Sequence, residues 1–225
     1  MIKIENVSMW QKGENKKIIN NVSFSVGNGE VVGLIGENGS VLLKAIAGLK
    51  KINAGDIFVQ GKSVKLRLNC DEKNIGYAFA DLTDYDKFTV YEFLNFVANE
   101  HKIDPNLSQI DINCYIDMFK LNDVLNDCIK NLSVANRKRV FIIASIFFKP
   151  TEWILDSTFS GLSEEDKCVV CNLIKGQKQN GVAVILTSNK FEEIEYLCDK
   201  IAYLKGGEVA FFGAVDKAKE FLANL

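Results

Sequence analysis

Apolar and polar residues alternate over residues 2–7 and 22–26, and a nearly unbroken apolar run follows at 30–35, so three short strands are predicted there. A first helix follows, and 56–59 closes this early part as a further strand; the alternation and the turn glycines point to an antiparallel portion. From about 88 to 148 the period becomes helical, with segments at 90–99, 112–119 and 134–148. In the last of these, Val140, Ile143, Ala144 and Phe147 share one face. This stretch reads as an inserted helical subdomain, placed at 84–149. Strand and helix then alternate over 152–155, 163–179, 182–187 and 191–198, before a hairpin of 201–204 and 208–212 around Gly206-Gly207. That alternation predicts an α/β fold whose largely parallel sheet is flanked by helices. With two prolines and no internal repeat, the chain reads as compact rather than modular.

Composition narrows the function classes. A chain of 225 residues, 48% hydrophobic and 25% charged, suits one globular domain covering 1–225. A net charge of -2 gives no broad electrostatic footprint for nucleic acid or anionic lipid. No secretory apolar run or bilayer-length stretch is present, so a cytoplasmic location is expected. Six scattered cysteines suit reduced thiols better than a disulfide framework. Cys168 and Cys171 share a helix face, but there is no second CxxC and His101, the only histidine, is far off; packed or surface thiols are expected, not a metal site.

The candidate chemistry begins at Gly36-Glu37-Asn38-Gly39-Ser40-Val41-Leu42-Leu43. An apolar strand ending Gly33-Leu34-Ile35 precedes it and Lys44-Ala45-Ile46-Ala47-Gly48-Leu49 follows, giving the strand, glycine turn and helix of a phosphate-binding loop. The G-K-[ST] expected between Ser40 and Val41 is missing. In a complete loop the lysine neutralises terminal phosphates, the hydroxyl holds magnesium and successive N–H groups cradle the anion. Losing two or three charge-assisted bonds implies an affinity penalty on the order of a thousandfold or more. Lys44 lies in the following helix and is expected to be solvated.

Several separated segments carry a resemblance. Asn21-Val22-Ser23-Phe24-Ser25-Val26, Gly29 through Gly36, Ile154-Leu155-Asp156 and Ser160-Gly161-Leu162 occur in the order found in the ATP-binding subunit of ABC transporters, which the chain resembles over essentially its whole length. The resemblance implies a P-loop NTPase-like core with an antiparallel β subdomain and a helical subdomain, ATP and Mg2+ as cofactors, and two subunits that sandwich ATP head to tail. It also implies a membrane-spanning transporter subunit as partner, with the chain peripheral to the membrane, as a homodimer or paired with a competent ATPase subunit.

Carried over residue by residue, the resemblance assigns phosphate binding to Gly36, Asn38, Gly39 and Ser40, and magnesium to Asp156. The glutamine that contacts magnesium and water aligns with Ala80, the glutamate that polarises water with Ser157, and the switch histidine with Asn189; loss of a general base costs about 10² to 10⁴ in rate. An amide at Asn189 neither shuttles a proton nor carries charge. The signature L-S-G-G-Q reads Leu132-Ser133-Val134-Ala135-Asn136, where Ser133 is also an expected helix cap. The adenine-stacking aromatic aligns with Gln11, one place after Trp10, which serves either as base platform or as ordinary packing. Asp156 either binds metal or satisfies turn backbone.

Residues 81–91 fall where family members receive a short helix of the membrane subunit, and Tyr85, Phe88 and Tyr91 either anchor that partner or cement the two subdomains. The expectation is a catalytically impaired subunit in a structural or regulatory role on a membrane partner. An active ATP-hydrolysing subunit and a soluble scaffold of the same fold are the alternatives.

Overall fold

The computed structural model describes residues 1–11, 13, 16–66, 74–79 and 81–224. Strands β1 (Ile2–Trp10), β2 (Lys17–Val26), β3 (Val31–Gly36), β4 (Ala54–Val59), β5 (Lys62–Ser63), β6 (Ile75–Ala78), β7 (Glu152–Leu155), β8 (Ala183–Thr187), β9 (Lys200–Lys205) and β10 (Glu208–Ala214) form two sheets. The first is antiparallel in the order β2-β1-β4-β5. The second runs β10-β9-β3-β8-β7-β6, parallel from β9 to β6, with β10 antiparallel at one edge. Every residue of β7 and β8 is buried, as strands covered on both faces require.

The parallel sheet separates two apolar clusters. Val31, Trp153, Leu155, Val184 and Leu186 face helices α4 (Val134–Ile146) and α5 (Glu164–Gln179). Val32, Leu34, Ile154 and Ile185 face helix α1 (Gly39–Ile46) and the antiparallel sheet. Helices α2 (Val90–Glu100), α3 (Pro105–Met118) and α4 occupy the stretch read as helical, and α6 (Val215–Ala223) ends the described chain. α4 rests directly on β6. A Cβ on Gly76 would lie 1.9 Å from the Ser145 carbonyl oxygen, so only glycine permits that approach. Trp153 Nε1 donates to Ser145 Oγ at 2.8 Å on the same helix.

Helix α3 begins ahead of the expected 112, β6 and α6 are elements the sequence reading lacks, and two further departures bear on the site. Residues 191–198, expected as a helix, form one 3-10 turn at Phe191–Glu193 followed by further turns. The chain must arrive at β9 beside β3: Asp199 N donates to the Val31 carbonyl at 2.8 Å, and its carboxylate accepts from Val31 N at 2.9 Å. Ile194, Leu197 and Cys198 are buried by that arrival rather than by a helical face. The second departure is at the other end of the apolar run 30–35, where α1 spans Gly39–Ile46 and so takes in most of the segment read as the loop, with the helix expected at 44–49.

Candidate functional site

The C-terminal ends of parallel strands are where open α/β sheets place ligands, and β3, β7 and β8 deliver the candidate residues there. Between β3 and α1 lie only Glu37 and Asn38. Gly36 has φ 101°, and a Cβ there would stand 2.0 Å from the Leu204 carbonyl oxygen of β9. Asn38 takes the left-handed conformation (φ 62°, ψ 14°), and its Nδ2 donates to the Ile18 carbonyl at 3.1 Å. Gly39 is buried in the first turn of α1, and Ser40 follows it.

Ser40 Oγ donates to Asp156 Oδ2 at 2.6 Å, and Thr187 Oγ1 donates to Asp156 Oδ1, also at 2.6 Å. Thr187 Oγ1 accepts in turn from Ser157 N at 2.8 Å. Both oxygens of the carboxylate after β7 are thus held by hydroxyls, one from α1 and one from β8. Such charge-assisted bonds are among the stronger ones in a protein. Ser157 itself has φ 47°. Its carbonyl accepts from Lys138 Nζ at 2.6 Å, and the Ser160 carbonyl accepts from the same ammonium. Burial pushes the Lys138 pKa down, against the opposing pull of the Asp156 and Glu193 carboxylates. Thr187 and Lys138 were not singled out by sequence; Thr187 carries only the signal of closing an apolar strand.

Lys44 is corrected. Its side chain is 24% exposed, paired with Asp81 and 5.8 Å from the Phe79 ring centroid, so it is a committed cation rather than a solvated one. Ala80 lies outside the described residues. Asn189 is exposed and, with Ser157, Ser160, Lys190 and Glu193, lines a cavity of about 260 Å³. Trp10, opposite Lys17 in the β1–β2 ladder, has that lysine's ammonium 5.3 Å from its ring centroid. In the signature segment Ser133 caps α4 by accepting from Asn136 N at 3.2 Å, while Val134 is 68% exposed. Cys171 is buried with its thiol 3.1 Å from the Tyr196 hydroxyl, and burial pushes that thiol up; Cys168 is exposed. Among the described residues no group of three or more His, Cys, Asp or Glu is placed to hold a metal ion.

A second candidate surface lies beside α2. Leu82, Tyr85, Phe93, Phe96, Phe141 and Phe148 line a cavity of about 230 Å³, with Glu100 and His101 as its charged and titratable neighbours. Tyr85 packs on Phe93 at 4.7 Å and on Phe141 at 6.4 Å between centroids, so it joins α2 to α4 while also lining the cavity. Phe88 packs tilted against Phe96, 5.5 Å between centroids, and Tyr91 is 46% exposed.

The profile of the ABC transporter family matches residues 19–160, from β2 through the turn after β7. The chain belongs to the ABC transporter family, in its ATP-binding domain. It is 29% identical over 218 residues to an uncharacterized ABC transporter ATP-binding protein of Methanocaldococcus jannaschii, covering 96% of this chain and 78% of that protein. It is 28% identical to ATP-binding cassette sub-family A member 10 of Homo sapiens, covering 94% of this chain but only 14% of that much longer protein. A solved ATP-binding cassette, in a dimeric post-hydrolysis state bound to ADP and Pi, superposes with a TM-score of 0.83 at 20% identity, over 96% of this chain and 99% of the other. That likeness establishes the ABC cassette fold. Among the described residues, no helix is long and apolar enough to cross a membrane.

Proposed function

We propose that this ABC transporter ATP-binding domain is impaired in ATP hydrolysis and serves a structural or regulatory role, docked on a membrane-spanning subunit at the cytoplasmic face. Residues 1–225 act as one nucleotide-binding-type domain with 84–149 as its helical subdomain. The observation that carries the reading is the hydroxyl–carboxylate pairing at Asp156. Ser40 and Asp156 are hard oxygen donors of the kind magnesium takes, yet each is spent on the other, and Thr187 holds the remaining oxygen. A triphosphate has little to grip: the turn offers two residues, and the nearby Lys44 is turned to Asp81. A Mg-triphosphate does not fit this set of donors. Ser157 and Asn189 supply neither a general base nor a proton-carrying switch.

The partner role is supported by the aromatic cavity beside Tyr85, which leaves an apolar surface with Glu100 and His101 at its edge. Pairing follows the family: a second copy, or a competent ATPase subunit that retains its own phosphate loop.

The deciding experiment is titration of the chain with ATP, with and without Mg2+, together with single-turnover hydrolysis. The expected result is binding no tighter than about the millimolar range, no magnesium dependence and no product burst. Tight, magnesium-dependent binding with turnover would establish an active ATPase subunit instead. Co-purification with a membrane protein separates the docked role from a free scaffold.

A further inference from the structure

The N-terminal half of α4 carries three consecutive cations, and each reaches a different segment. Arg137 pairs with Asp86 Oδ1 at 2.7 Å and donates to the Ile129 carbonyl at 3.3 Å. Arg139 pairs with Asp166 Oδ2 at 2.6 Å in the first turn of α5. Lys138, between them, points to the site. Its two acceptors, the carbonyls of Ser157 and Ser160, belong to one turn, closed by the Ser160 N–H on the Ser157 carbonyl at 3.3 Å. Lys138, Asp156 and Thr158 also line a cavity of about 10 Å³, and Thr158 Oγ1 is buried there without a hydrogen-bond partner. The ammonium has two carbonyls as its direct partners, and it shares the small cavity with Asp156 and Thr158 as well as with Ala78, Phe141 and Ile142. The Asp156 and Glu193 carboxylates are the charges that act on it from farther away.

We propose that Lys138 is the resident cation of this site: its ammonium supplies from within the chain the positive charge that a divalent metal would place beside Asp156, and it holds the 157–160 turn closed without metal or nucleotide. The proposal rests on the non-hydrolysing reading and names what keeps the emptied site in shape. Lys138 is a positioning residue. It acts through the turn and through Asp156, and no reacting atom needs to touch it.

The test uses the whole chain without nucleotide, as wild type, K138M, K138R and K138M/D156N. Mn2+ is the probe, with bound metal followed by electron paramagnetic resonance and the turn by amide exchange at Ser157, Ser160 and Leu162, whose acceptors are defined. Wild type is expected to ignore Mn2+ up to about 1 mM. In K138M those amides exchange about tenfold faster or more, as loss of a charge-assisted bond implies. Added Mn2+ slows them again, and D156N removes that rescue; K138R behaves as wild type. Should K138M fail to fold, K138Q, which keeps a polar head, is read the same way. The proposal is overturned if wild type binds Mn2+ through Asp156, if the variant's turn exchanges at the wild-type rate, or if the opened turn gives no Asp156-dependent response to the metal. Nucleotide titration of wild type fails or succeeds independently of these outcomes, so the two readings are separable.

Discussion

The loop at 36–40 and the cavity beside Tyr85 use their side chains in opposite ways. Around the loop, polar groups are matched within the chain: Ser40 and Thr187 with Asp156, Asn38 with the Ile18 carbonyl, Lys44 with Asp81. Around Tyr85 the aromatic faces meet one another on one side and border about 230 Å³ of open space on the other. A surface that takes a ligand has to keep groups uncommitted until the ligand arrives. On that measure the loop is internally satisfied, whereas the aromatic cavity keeps open space beside its rings.

Gly36→Ala tests the matched side most severely. The positive φ and the overlap with the Leu204 carbonyl predict a loss of about 3 kcal/mol in urea unfolding. Asp156→Ala follows, at about 2 kcal/mol, because two hydroxyls lose a charged acceptor. Groups kept for chemistry rather than for the fold commonly leave a protein more stable when removed. A stability gain in D156A would therefore break the contrast.

Phe96→Lys probes the open side. With 37% of the residue exposed, its stability cost is about 1 kcal/mol, whereas affinity for the proposed membrane subunit is expected to fall tenfold or more, readable by co-purification yield or titration. Unchanged partner binding would leave the cavity without an occupant.

Acid sharpens the part played by α4, which borders both regions. Burial pushes the Asp166 carboxyl up, but hydrogen bonds from Arg139 and Ser163 and the Arg139 charge outweigh it, so the net shift is downward. The stabilisation is fully present above the unfolded-state value, about pH 4, and is lost as pH falls through the lower folded value. D166N should flatten the stability slope in that acid window and leave it unchanged near neutrality. The smallest effect is expected for Lys44→Met. A pair whose partners are 24% and 62% exposed contributes about 0.5 kcal/mol, seen as a small shift in urea midpoint that high salt abolishes in the wild type.

How much of this was legible in sequence differs by element. The hairpin at Gly206-Gly207, the buried strands β7 and β8 and the helix α5 announce themselves, because a glycine turn, a short mainly apolar run and a long amphipathic period are local signals. α6 passed unremarked, since in its nine residues only Ala218 is buried. The strand β6 and the turns at 191–198 depend on what the chain must pack against, which no window of residues contains. At the site, Asp156 and Ser40 were found by motif, but their bond to each other was not. It follows from α1 starting at Gly39, a consequence of the shortened turn that spacing alone places elsewhere. Lys138 gave no signal at all, lying in a run of basic residues whose separate destinations only the fold reveals.

The bare backbone of Gly76 under Ser145 has a mechanical meaning. With no side chain between them, the α4 backbone lies directly against the edge strand of the parallel sheet, and any side chain at that position would wedge the two apart. A pivoting of α2 and α3 would draw on the connections at 81–89 and 119–133, and a push arriving at Phe96 would meet Tyr85 and Phe88 in the first of these before it reached the sheet.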